Sequence, residues 1–158
     1  MRLLFRRLGA LATFVAVLWI VQALNWIADY RLNSTFGLIP RQINGLDGVV
    51  AMPFLHGSFE HLLANTPPLI VMGVLLASTA TRALMSVNVI VVGLGGVLVW
   101  LFGKFGVHVG ASRLVFGWFG FLVARGVVDR SLVTLGVALL VGGLYGSIVW
   151  GVLPGQPG

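Results

Sequence analysis

The sequence predicts an all-α, polytopic membrane protein, a transmembrane bundle of about five spanning helices. Three observations carry this. Hydrophobic residues make up 58% of the 158-residue chain and charged residues only 9%, against about 25% charged in an average soluble domain. Mean hydropathy is +1.03, so lipid rather than water must cover the apolar surface. The apolar residues also fall into runs of about 20, the length at which a helix crosses a bilayer. The net charge of +6 then reads as topology information and not as a nucleic-acid footprint. There is no cysteine, which removes disulfides, thiolate metal sites and a cysteine nucleophile.

Taken in order, Arg2, Arg6 and Arg7 precede a first span over about residues 8–27. A signal peptide is the rival reading, but its apolar core runs to only about 7–15 residues, and Trp19 and Trp26 suit an interfacial belt. Residues 28–57 form a long first loop with Asp29, Arg31, Asn33, Gly37, Pro40, Arg41, Asn44, Gly45 and Asp47 among apolar residues. Such a loop is expected to lie on or partly in the interface. Its Asn33-Ser34-Thr35 triplet matches a glycosylation acceptor but carries no weight.

A second span covers about residues 59–80, capped by Ser58 with Glu60 in its first turn. Pro67 and Pro68 remove the donors that the Leu63 and Ala64 carbonyls would use, which predicts a kink. After a turn at Thr81 and Arg82 comes a third span, about 84–102, whose Gly93, Gly95 and Gly96 offer a smooth face for close helix approach. The fourth span runs over about 111–124 and the fifth over about 132–152. Alternation puts Arg2, Arg6, Arg7, Arg82, Arg125 and Arg130 on one side and Arg31, Arg41, Lys104 and Arg113 on the other. The short connections agree with a cytoplasmic amino terminus.

On that topology two polar groups share the outer leaflet. His56, His61 and Asn65 stand at the start of the second span, with His61 and Asn65 about 40° apart on one helical face. Ser112, flanked by Gly110 and Gly117, heads the fourth. Each has an ordinary explanation: a helical serine packs against its own turn, and histidine or asparagine glues helices together. Metal binding is a further rival, since His-x-x-x-Glu-His resembles an inverted zinc-protease motif. Five residues of separation, however, put His56 and His61 about 140° apart on a helix, too far for one ion. Acyl transfer uses every residue. Ser112 would be the nucleophile, with His61, Asn65 and the Ser112 amide donating to an oxyanion, each donor worth about 3–4 kcal/mol in such sites. Gly110 and Gly117 would let backbones approach closely around the serine.

These residues resemble the rhomboid family of intramembrane serine proteases. The resemblance rests on His-x-x-x-x-His-x-x-x-Asn at His56, His61 and Asn65, and on Gly-x-Ser-x-x-x-x-Gly at Gly110, Ser112 and Gly117. It covers the chain from the first loop onward as a single domain. It implies a six-helix core in the lipid bilayer that cleaves transmembrane protein substrates near the membrane surface, with a serine–histidine dyad and no cofactor. Ser112 would then be the nucleophile, His61 and Asn65 would help form the oxyanion hole, and His56 would support the hydrogen-bond network beside them. The bacterial character of the flanking residues implies a multi-pass protein of the plasma (inner) membrane.

Two departures qualify the resemblance. The family's dyad histidine lies on a sixth helix, and Gly158 falls in what reads as the loop before it, so the sequence is expected to be incomplete at its carboxyl end. His108 is the other candidate base. Arg113 stands where the family has a small residue, and as a cation it would oppose a neighbouring imidazolium unless it snorkels to the headgroups. The expected function is an intramembrane serine endopeptidase. The alternatives are an inactive relative that binds transmembrane segments and, with less support, a small transporter. The oligomeric state is not legible in the sequence.

Overall fold

The computed structural model describes residues 1–129 and 131–146. Among them all regular secondary structure is helical apart from one isolated β-bridge. Helix α1 (Arg2–Ile27) begins earlier than its apolar run, so Arg2, Arg6 and Arg7 lie on its opening turns. It buries Leu18, Gln22 and Asn25, a seven-residue spacing that keeps one face inward.

The first loop folds into short pieces. These are α2 (Arg31–Phe36), a 3₁₀ turn at Ile43–Gly45, α3 (Gly48–Ala51) and a second 3₁₀ turn at Met52–Phe54. Their partners lie far along the chain. Leu38 pairs with His108 in the antiparallel bridge, and the Arg41 amide donates to Trp100 O at 2.9 Å. Arg41 Nη1 donates to Leu101 O and Gly103 O at 3.1 and 3.0 Å, while its guanidinium lies 4.4 Å from the Phe105 ring centre. A helix leaves its last carbonyls unsatisfied, and Arg41 fills that role for the helix ending at Phe102.

Helix α4 (Phe59–Thr79) is the central element, packed on α1, α7 (Ser112–Asp129) and α8 (Leu132–Tyr145). Ser58 caps it as its sequence position suggests, its Oγ accepting the His61 amide at 3.1 Å. The helix runs on through Pro67 and Pro68. Leu62, Leu69, Met72 and Leu76 are fully buried along it and join Leu114, Val115, Trp118 and Leu122 of α7 in one core.

The third span is one continuous helix in two halves, α5 (Leu84–Val89) and α6 (Gly95–Phe102), joined by a π turn at Ile90–Leu94. Of its three glycines, Gly96 gives the expected close helix approach, a Cβ there lying 3.2 Å from the Val49 Cα of α3. A Cβ on Gly95 would meet the Arg113 side chain, one on Gly96 would meet Val49 and Arg113, and Gly93 faces open space. Helix α7 (Ser112–Asp129) outlasts its apolar run because Arg125 and Asp129 form an i,i+4 ion pair at 2.6 Å on its last turn. Helix α8 (Leu132–Tyr145) packs along α7, with Gly126 against Ala138. The remainder of the fifth predicted span, Arg130 and the chain's last residues lie outside the described residues.

Arg125 Nη1 donates to Thr79 O at 2.5 Å, and Arg7 Nη2 to Thr81 O at 3.5 Å. The start of α1, the end of α4 and the end of α7 therefore share one end of the bundle, the grouping that alternation assigned to these arginines. Much of the outer surface is apolar, with Ile20, Leu24, Val89, Ile90, Leu94 and Leu139 exposed. Arg2–Ile27, Phe59–Thr79 and Leu84–Phe102 are each long and apolar enough to cross a bilayer. This is a helical membrane protein.

Candidate active site

The two sequence motifs meet at Gly110. This residue has φ +121°, open to glycine and strained for other residues, and its amide donates to Met52 O at 3.0 Å. A Cβ here would lie 2.8 Å from His61 Cε1, 2.9 Å from His61 Nε2 and 3.7 Å from Ser112 Oγ. The imidazole from α4 and the hydroxyl from α7 thus flank the space that the missing side chain leaves. The sequence suggested close approach of backbones around Gly110; what approaches is the His61 ring. Gly117 serves the same helix farther on, where a Cβ would collide with Val91 of the π turn.

Ser112 opens α7. The first amides of a helix lack intrahelical acceptors, and the bonds to the Ala111 carbonyl begin only at Leu114 and Val115. The Ser112 and Arg113 amides therefore face whatever occupies the helix amino terminus, where the helix dipole favours negative charge. Among the described residues Ser112 Oγ makes no hydrogen bond.

His56 holds the turn before the serine. Its Nε2 accepts the Ala111 amide at 3.3 Å, which places its proton on Nδ1, a buried atom without a partner. The His56 and His61 rings meet edge to face, with centres 5.2 Å apart. Burial first, and the His61 imidazole second, lower the His56 pKa from its usual range to about 4.

Above pH about 6.5 the imidazole is neutral in both folded and unfolded chains. Between that value and about 4 the unfolded chain binds a proton that the folded one does not, so stability falls as pH falls. The melting temperature in mild detergent is expected to drop from pH 7 to pH 4.5 more steeply for the wild type than for His56→Gln. Parallel slopes would remove His56 as the cause.

Behind His56 lies a network that the sequence reading passed over. Asn33 Nδ2 donates to His56 O at 3.1 Å, Asn25 Nδ2 to Asn33 Oδ1 at 2.8 Å, and the Leu32 amide to Asn25 Oδ1 at 3.2 Å. The end of α1 is thereby tied through α2 to the residue before the serine. The signal in the sequence is Asn25, an amide near the end of an otherwise apolar helix.

Asn65 lies on the His61 face of α4 and is nearly buried. Its Nδ2 donates to the His61 carbonyl at 3.2 Å, and among the described residues no hydrogen bond joins it to Ser112. His108 binds the Lys104 carbonyl through Nε2 at 2.8 Å, so that nitrogen carries a proton and cannot accept one from the serine. Arg113 does not snorkel outward as the sequence reading allowed. It runs inward across Gly95 and Gly96, and Nη2 donates to Val49 O at 2.9 Å. Its route is set by two residues without side chains.

Ser112, Arg113 and His108 line an open cavity of about 820 Å³, otherwise walled by apolar residues such as Met52, Leu98, Phe102 and Phe116. Among the described residues no group of three or more His, Asp or Glu side chains could hold a metal ion.

Residues 44–157 match the Rhomboid domain family. The chain belongs to the rhomboid family. It is 36% identical over 148 residues to the uncharacterized protein Rv1337 of Mycobacterium tuberculosis, covering 90% of this chain and 61% of that protein. Identity and coverage are the same for the uncharacterized protein Mb1372 of Mycobacterium bovis. The uncharacterized protein ML1171 of Mycobacterium leprae is 34% identical over 149 residues, covering 90% of this chain and 58% of its own length. The chain thus spans about three fifths of the length of the curated relatives it matches. No solved structure matches it. Membership in this intramembrane-protease type of family accords with the helical architecture, and the rhomboid match takes in both motifs.

Proposed function

We propose that this rhomboid is an intramembrane serine endopeptidase that hydrolyses peptide bonds in or near the transmembrane segments of protein substrates. The observation that carries the reading is the convergence at Gly110, where Ser112 Oγ and the His61 imidazole face one small space. Ser112 Oγ attacks the substrate carbonyl carbon. The carbonyl electron pair moves to oxygen, and that oxyanion is held by the Ser112 amide and the His61 side chain, with Asn65 positioning His61 from the next turn. Its collapse breaks the C–N bond, the amine leaves with the serine proton handed on by the proton acceptor, and water then hydrolyses the acyl-serine. His56 fixes the turn by accepting the Ala111 amide, and in its neutral form it adds no charge beside the reacting atoms. The reading places the amino terminus in the cytoplasm and the site toward the outer leaflet of the plasma membrane.

A serine needs a proton acceptor. The chain holds three histidines, and none bonds Ser112 Oγ among the described residues, so the acceptor is assigned to a group outside them. That same observation favours a second reading, a relative that binds transmembrane segments without cutting them. Fluorophosphonate labelling of the full-length protein in membranes separates the two. The endopeptidase reading expects a covalent adduct mapped by mass spectrometry to Ser112. An unlabelled Ser112 in protein that still binds transmembrane peptides supports the binding reading instead.

A further inference from the structure

Arg113 is the unusual charge in this site. One of its three guanidinium nitrogens, Nη2, donates to Val49 O, while Nε and Nη1 are buried and have no partner. A guanidinium carries five donors and is always charged, and leaving such donors unpaired in a buried place is costly. The chain has four acidic residues. Of these, Asp129 is paired with Arg125, Asp47 accepts the Gly48 amide, and neither Asp29 nor Glu60 forms an ion pair with Arg113 among the described residues. Among the described residues no carboxylate supplies a counter-charge. Gly95 and Gly96 make room for the side chain, since a Cβ on either would come within 3.0 Å of it. The cavity beside it is shared with Ser112 and is otherwise apolar except for His108.

We propose that this cavity takes an acidic side chain of the transmembrane substrate, its carboxylate bound by Arg113 at or next to the bond presented to Ser112. The proposal rests on the reading of the site as a peptide-binding one. An apolar wall ending in a cation suits glutamate, whose methylene stem lies against Leu98, Phe102 and Phe116 while its carboxylate draws the guanidinium away from Gly95 and Gly96, turning Nε and Nη1, both buried in the free protein, toward the cavity. The amino terminus of α7 adds a favourable field for the same charge. Serine and guanidinium then work as a pair: one reacts, the other chooses the register of the substrate.

The test uses the full-length protein carrying Ser112→Ala, so that bound peptide is not consumed, in phosphatidylcholine liposomes. The probes are fluorescent transmembrane peptides with Glu, or Gln in its place, at each position in turn along the segment where the helix leaves the membrane. At one register the Glu peptide is expected to bind at least about tenfold more tightly than its Gln counterpart, since a charged hydrogen bond is gained. Adding Arg113→Gln should reduce that ratio to about one, while Arg113→Lys, which keeps the charge without the fork, should retain part of it. Equal binding of Glu and Gln peptides at every register overturns the proposal, and so does a Glu preference that survives Arg113→Gln. If phosphatidylglycerol is instead retained in an Arg113-dependent way and Glu is never preferred, the site belongs to a lipid phosphate and the proposal fails. Cleavage by protein with Ser112 intact is read separately. A Glu preference without cleavage counts against the endopeptidase alone, and cleavage indifferent to Glu or Gln counts against the role of Arg113 alone.

Discussion

Ser112→Ala is expected to lower the rate of substrate cleavage by roughly ten-thousandfold or more, the usual consequence of removing a serine nucleophile. The melting temperature should hardly move. Ser112 Oγ makes no hydrogen bond among the described residues, and the amides that define the start of α7 belong to the backbone, so alanine removes a reactive atom and little else. Affinity for transmembrane peptides should persist for the same reason. The measurement is cleavage of a transmembrane reporter by full-length protein in liposomes, beside a thermal melt of each variant. Cleavage that survives in the alanine variant would refute the assignment of Ser112. Loss of cleavage together with a large fall in melting temperature would show a structural serine instead.

Gly110→Ala is expected to cost about a hundredfold or more in kcat/KM, because a misplacement of about 1 Å at a reacting group is worth that much. Two effects act together. The backbone at φ +121° is strained for any residue with a Cβ, at about 1–3 kcal/mol. The new methyl would also stand 2.8 Å from His61 Cε1 and 2.9 Å from Nε2, inside van der Waals contact, so the imidazole must swing away from the serine. Unlike Ser112→Ala, this change should lower the melting temperature as well. Gly120→Ala is the matched control on α7, since its Cβ would meet nothing within 4 Å. Equal activity of the two variants would mean that the His61 ring has no part in the reaction.

These predictions divide what the sequence could say from what it could not. The three long apolar spans and the Ser58 cap on α4 follow from hydropathy and helical period, which are local properties of the chain, while His56, His61, Asn65, Gly110, Ser112 and Gly117 stood out as polar or small residues at motif spacing and through the family resemblance. The long first loop was harder to read. Its apolar and polar residues alternate without a period, and its order comes from Arg41 reaching carbonyls 60 and 62 residues away. The Asn25–Asn33–His56 chain went unseen for a similar reason, because amides are common on loops and their importance lies in their partners.

The sequence by itself determined that this is a helical membrane protein and which serine and histidines to compare. Only the tertiary structure decided how they meet. It set His56 beneath the Ala111 amide across 55 residues, brought the His61 ring to Gly110, and turned Arg113 inward onto Val49 across 64 residues. Helix formation and membrane insertion depend on neighbouring residues, whereas a site between α4 and α7 depends on the packing of helices far apart in the chain. A glycine in the sequence marks space. The fold decides which side chain fills it.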